Sequence, residues 1–227
     1  MPDIKIKAKD GGTFSAYQSG SGGPGIVLIQ EFFGVNKVMR DLADGYAKQG
    51  HTVLCPDLFW RQEPGIQITD KTQAEWDKAF SLFKGFDQAK GVEDLIATLA
   101  HLRTLPGVKK AGSVGYCLGG QLAYLMSTRS DVDCSVSYYG VGLDGLVGEA
   151  KNIKKPLLMH IAEKDKFVPP EAQKKVKDAL SKIPHVTIHT YAGQDHAFAR
   201  VGGEHYDKQA ADLANQRTAE FFRKHLA

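Results

Sequence analysis

Only three cysteines occur in the 227 residues, Cys55, Cys117 and Cys134, far apart and with no C-x-x-C pair. That spacing gives neither a disulfide framework nor a thiol pair for zinc or redox exchange, so all three read as free thiols. A surplus of either charge is also missing: 29 Lys and Arg against 26 Asp and Glu, interspersed along the chain, leave no basic footprint for a nucleic acid. No stretch approaches the ~18 apolar residues of a membrane span, and the opening MPDIKIKAKDGG has no apolar signal region. The chain is therefore expected to be cytoplasmic, without a membrane partner. With no repeat, low-complexity tract or long linker, residues 1–227 are expected to form a single domain.

What is present is alternation. Apolar runs at 25–30, 52–55, 112–115, 134–139, 156–161 and 185–191 read as strands, most of them buried and parallel. Amphipathic segments at 36–49, 73–103, 118–129, 170–182 and 206–225 read as helices between them. Residues 4–8 and 13–17 alternate around Asp10-Gly11-Gly12 and read as an antiparallel hairpin. The expected class is α/β, a mostly parallel central sheet with helices on both faces and an N-terminal hairpin.

Gly20-Ser21-Gly22-Gly23-Pro24-Gly25 satisfies the dinucleotide pattern G-x-G-x-x-G. That motif must follow a strand and open a helix, whereas here a strand comes next, so the segment is a turn.

Gly115-Tyr116-Cys117-Leu118-Gly119 fits the nucleophile elbow G-x-Nuc-x-G, and it lies between a strand-like and a helix-like run, as that motif requires. The glycines permit a sharp turn that lifts the Cys117 side chain above the sheet. The helix after it supplies partial positive charge and free N–H groups that favour a thiolate, with the Leu118 N–H as one arm of an oxyanion hole. A cysteine in a glycine-rich turn can equally be a small, inert residue.

The partners decide between these. An elbow nucleophile is followed along the chain by an acid and then a histidine. Asp165 lies just beyond the strand ending near Ile161, and His196 just beyond the last strand, both at the edge where open α/β sheets build their sites. Asp165 could instead cap the helix starting near Pro169. Asp195 is a weaker acid candidate because adjacent loop side chains rarely face one another. Of the other histidines, His51, His160, His185 and His189 fall in or at strands, and His101, His205 and His225 on helices.

These residues, with Gln30-Glu31-Phe32-Phe33-Gly34, Cys55-Pro56-Asp57-Leu58, Tyr138-Tyr139-Gly140 and His196-x-Phe198-Ala199-Arg200, closely resemble the dienelactone hydrolase family of α/β-hydrolases, from about residue 25 to the C-terminus. The resemblance implies the α/β-hydrolase fold and hydrolysis of a small lactone or ester, dienelactone to maleylacetate in chlorinated catechol breakdown. It implies Cys117 as nucleophile, His196 and Asp165 as its partners, and an oxyanion hole of the Leu118 and Phe32 N–H groups. It also implies that Glu31 pairs with the resting thiol and takes its proton. Such acyl transfer needs no cofactor or metal. A monomer is expected.

The substrate clamp departs from the family pattern. Arg200 matches one of two carboxylate-binding arginines, but an ungapped count puts Trp76 at the other and Phe80 where a tyrosine is expected. Neither can neutralise a carboxylate. Arg61, Lys71 or Lys78 are candidate replacements, and Tyr138 could line the pocket. Trp60, Phe32, Phe33, Trp76, Phe80 and Phe83 could form an apolar wall or ordinary core. Two alternatives follow: a hydrolase of small neutral aryl esters or lactones, and a non-catalytic ligand-binding or thiol redox-sensing protein on the same fold.

Overall fold

The computed structural model describes residues 3–227, and the chain gathers into two compact units, Met1–Ala111 and Gly112–Ala227. In the first, β1 (Ile4–Lys7) and β2 (Thr13–Ser19) form the antiparallel hairpin, with Ile4 opposite Ala16 and Lys7 opposite Thr13. Gly11 supplies the left-handed turn residue at φ 92°. β2 runs antiparallel to β4 (Thr52–Pro56), which runs parallel to β3 (Gly25–Ile29). All residues of β3 and β4 are buried, as expected of strands covered on both faces.

Three helices belong to this unit. α1 (Lys37–Lys48) starts at Asn36, whose side chain accepts the Met39 N–H at 3.2 Å. α2 (Gln73–Lys84) starts with a capping box between Thr72 and Glu75. α3 (Gln88–Arg103) starts at Asp87, which accepts the Lys90 N–H at 3.1 Å. The single helix expected over 73–103 is therefore two. Gly85 ends the first and Asp87 caps the second, and the apolar spacing runs on because each helix buries one face.

The second unit carries all but the first residue of β5 (Ala111–Tyr116), with β6 (Cys134–Tyr138), β7 (Leu157–Ala162) and β8 (Val186–Tyr191), parallel neighbours in that order. Its helices are α4 (Leu118–Arg129), α5 (Pro170–Leu180) and α6 (Lys208–Leu226), with two 3-10 segments, Leu143–Gly145 and Val147–Asn152, that no periodicity announced. His205 lies in a turn ahead of α6, not on a helix.

Polar residues bind α6 to the strands. Arg217 donates to the Tyr191 hydroxyl at 3.2 Å, and that hydroxyl lies 2.8 Å from His160 Nδ1. His160 Nε2 lies 2.9 Å from the Thr218 hydroxyl, itself 2.7 Å from the Tyr138 hydroxyl, which donates to Asn215 at 3.0 Å. The Tyr138 hydroxyl donates to Asn215, so Thr218 donates to Tyr138 and accepts from His160 Nε2–H, which leaves Nδ1 of the neutral ring to accept from the Tyr191 hydroxyl. Burial, with His189 and Arg217 nearby, holds the His160 pKa well below the usual range and keeps the ring neutral.

Among the described residues, no helix is long and apolar enough to cross a membrane.

Candidate active site

Cys117 stands between β5 and α4 in a backbone conformation rare for a side-chain-bearing residue, φ 57° and ψ −115°. Two contacts impose it. The Cys117 N–H donates to the Tyr138 carbonyl at 3.1 Å, and the Cys117 carbonyl accepts the Gln121 N–H at 3.2 Å, so the residue ends a strand ladder and begins a helix. The turn needs glycine at its first position for lack of space: a Cβ on Gly115 would lie 1.9 Å from the Gly119 carbonyl oxygen. Like any helix, α4 leaves the N–H groups of its first turn without an intrahelical acceptor, and Leu118 is the first of them.

Asp165 follows β7 and His196 follows β8, so both sit beyond the C-terminal ends of strands parallel to the one that delivers Cys117. Cys117, Asp165 and His196 are all buried, at 6%, 4% and 4% exposure. His196 Nδ1 lies 2.8 Å from Asp165 Oδ2. The other Asp165 oxygen accepts the Phe167 N–H at 2.9 Å. Asp165 is thus not a helix cap: α5 begins after Pro169 with no side-chain cap at all.

Burial alone would pull the His196 imidazole towards neutrality. The charge of Cys117 and hydrogen bonds with Asp165 and Cys117 outweigh it and raise its pKa to about 10. An imidazole held charged between a carboxylate and a sulfur already carries a proton and is suited to give it to a departing oxygen. Cys55 provides a contrast, since complete burial pushes its thiol far up and leaves it inert.

Rings frame His196 on two sides. Tyr139 meets it edge to face at 5.1 Å and Phe167 at 4.8 Å, and Phe167 stays 48% exposed. Three non-glycine residues have left-handed backbone among the described residues, and they are Cys117, Tyr139 and Ala197. Such conformations persist where surrounding structure enforces them, and they gather at functional sites.

Several sequence candidates have other employment. Tyr138 is fully buried, stacked on Tyr116 at 4.5 Å with its hydroxyl held by Thr218 and Asn215, so it belongs to the core, and the tyrosine beside His196 is Tyr139. Arg61 binds Asp94 and Asp10, Lys78 pairs with Glu63, and Lys71 lies 3.5 Å from Asp70. Trp60 stacks on Phe14 and donates to Asp94.

Those others do cluster within the first unit. Trp76 stacks on Phe80 at 5.7 Å, and Phe32 contacts Trp76, Phe80 and Phe83. Phe80 and Phe83 remain 46% and 40% exposed. Glu31 lies two residues beyond the end of β3 and is buried, as is Arg200 in the second unit. Among the described residues, no group of three or more His, Cys, Asp and Glu side chains is placed to hold a metal ion.

Comparison with known proteins agrees with this architecture. The model of the dienelactone hydrolase family matches residues 12–226. A protein of Azospirillum brasilense provisionally described as a carboxymethylenebutenolidase is 58% identical over the whole of both chains. The carboxymethylenebutenolidase of Pseudomonas putida is 37% identical, covering 96% of this chain and 94% of its own. Among solved structures, a Klebsiella pneumoniae protein provisionally described as a dienelactone hydrolase superposes with a TM-score of 0.86 at 24% identity, covering 98% of each chain. A fold of parallel strands and helices behind an antiparallel hairpin, a match over nearly the full length and relatives of this closeness place the chain in the dienelactone hydrolase family, as a hydrolase of esters or lactones.

Proposed function

We propose that the chain hydrolyses a small lactone or ester through a thioester on Cys117. The observation that carries this reading is the buried His196–Asp165 bond of 2.8 Å on an imidazole that also interacts with the elbow cysteine. With the proton of the Cys117–His196 pair held on the imidazole, the Cys117 sulfur attacks the substrate carbonyl carbon. The C–S bond forms as the carbonyl oxygen takes up negative charge beside the Leu118 N–H. Collapse breaks the C–O bond, and the departing oxygen takes the proton from His196. Water then attacks the thioester with His196 as base, releasing the acid and the thiol. Asp165 keeps the ring oriented with Nε2 towards the reaction. The QE-x-x-G motif supports a proton-managing role for Glu31 and an oxyanion-binding role for the Phe32 N–H.

For the substrate, the carboxymethylenebutenolidase relatives support dienelactone or a related enol lactone, with Arg200 as the cation for its carboxylate. A second reading, small neutral aryl esters, is favoured by the Trp76–Phe80 stack at the positions where the family pattern places polar groups, and by the engagement of Arg61, Lys71 and Lys78 with carboxylates. In the cell such a protein would work in the cytoplasm on a small molecule, without cofactor.

The test is hydrolysis of dienelactone and p-nitrophenyl acetate by the wild-type enzyme and by Cys117→Ala. Loss of both activities in the variant supports the thioester route; turnover at the wild-type rate rejects it. A strong wild-type preference for the neutral ester selects the second substrate reading.

A further inference from the structure

Asp195 precedes His196, yet its carboxylate does not address the imidazole, which is bonded to Asp165. It works on the backbone instead. One oxygen, Oδ1, accepts the His196 N–H at 2.7 Å and the Lys166 N–H at 3.1 Å. A single acceptor therefore holds the amide of the histidine itself and the amide next to Asp165.

This carboxylate is the last rung of a short ladder between the two loops. The Lys164 N–H donates to the Gln194 carbonyl at 2.8 Å, and the Gly193 N–H donates to Glu163 at 2.7 Å. Asp165 thus lies between two residues, Lys164 and Lys166, that are each fastened to the loop carrying His196. Beyond the last rung the chain turns away in the left-handed conformation at Ala197, φ 64°.

The donor groups around Asp195 favour its ionised form. Lys166 Nζ lies 3.1 Å and His205 Nε2 3.7 Å from Oδ2. Burial works against ionisation, but the His196 and Lys166 amides and the Lys166 ammonium prevail, so its pKa lies below the usual value. The Lys166 side chain is 72% exposed, so its ion pair is screened and weak. The two amide bonds are the part of the arrangement that places atoms.

The geometry points to Asp195 as a positioning residue that sets the His196–Asp165 pair through Oδ1, a role resting on the triad reading above. Displacement of a reacting group by about 1 Å can cost up to about a hundredfold in rate, so a lost clip is felt in turnover.

The experiment compares Asp195→Ala, Asp195→Asn and Lys166→Ala by kcat and KM on p-nitrophenyl acetate, by thermal melting, and by the low-field proton resonance of His196 Nδ1–H, assigned by its loss in His196→Gln. Asparagine keeps an oxygen able to accept both amides. The expected result is a kcat at least about tenfold lower in Asp195→Ala with KM within about twofold, and a shifted or broadened Nδ1–H resonance. Asp195→Asn and Lys166→Ala should stay within about threefold of wild type and keep the resonance. Should Asp195→Ala not fold, Asp195→Ser replaces it, since one short hydroxyl cannot accept from both amides.

An unchanged resonance in a folded Asp195→Ala overturns the proposal, because a contribution to stability alone would move only the melting temperature. Equal damage from Asp195→Asn overturns it too, since charge would then matter and not the acceptor. Failure of the triad reading appears separately, as wild-type turnover by Cys117→Ala, and the resonance still reports whether Asp195 sets the pair.

Discussion

Gly115 and Gly119 approach so closely across the elbow that the first cannot carry a side chain: its Cβ would stand 1.9 Å from the carbonyl oxygen of the second. The obstacle is backbone, which has no rotamer to yield. Gly115→Ala should therefore cost about 2 kcal/mol, lowering the melting temperature by roughly 4–8 °C, and should also displace Cys117. Calorimetry with iodoacetamide labelling of Cys117 checks both. A variant that melts and labels like wild type would show that the turn can open.

Asp165→Asn keeps the size of the side chain while removing its charge and its demand for the Nδ1 proton. With the wrong tautomer favoured, kcat should fall on the order of 10³–10⁴-fold with the fold intact. Steady-state kinetics beside a circular dichroism melt tests this, and a drop below about tenfold would remove Asp165 from the mechanism.

Stability should peak near neutral pH, with two histidines shaping the flanks. The pKa of His196 is raised in the folded state to about 10 from about 6.5, so the folded protein binds the extra proton. Its contribution is fully present below about pH 6.5 and is lost as pH rises through about 10. His160 has a depressed pKa, so the unfolded chain takes up the proton first and stability falls as pH drops below about 6.5. Urea unfolding between pH 5 and 10 should show a dome whose alkaline side flattens in His196→Gln. An unaltered alkaline slope in that variant would contradict the assignment.

By the ungapped count, Trp76 and Phe80 fall where the resemblance to the family leads one to expect an arginine and a tyrosine. Trp76→Arg should raise the ratio of kcat/KM for dienelactone over p-nitrophenyl acetate at least about tenfold, because a guanidinium can bind a carboxylate with two hydrogen bonds. No change in the ratio would mean that position 76 does not meet the substrate's carboxylate.

Much of the architecture is written plainly in the chain. The buried strands announce themselves as short apolar runs, and the order Cys117, Asp165, His196 marks the residues that the structure brings together in the second unit. What is illegible has specific causes. The break at Gly85-Phe86-Asp87 hides because α2 and α3 each keep a buried face. The 3-10 segments after β6 are too short for any period to register.

Tyr138 and Tyr139 cannot be told apart by strand alternation, since β6 ends at Tyr138 and Tyr139 turns left-handed at φ 38°. Asp195 is hidden for another reason. Its partners are backbone amides, and an amide has no residue type to search for.

The left-handed Ala197 implies that folding stability and turnover oppose each other at this position. A methyl group at φ 64° costs roughly 1 kcal/mol that a hydrogen would not, so Ala197→Gly should melt about 2–4 °C higher. The same change frees the residue after His196 to sample other directions, and kcat should drop as melting rises. A chain selected only for staying folded would have glycine here; the alanine narrows the backbone freedom next to His196.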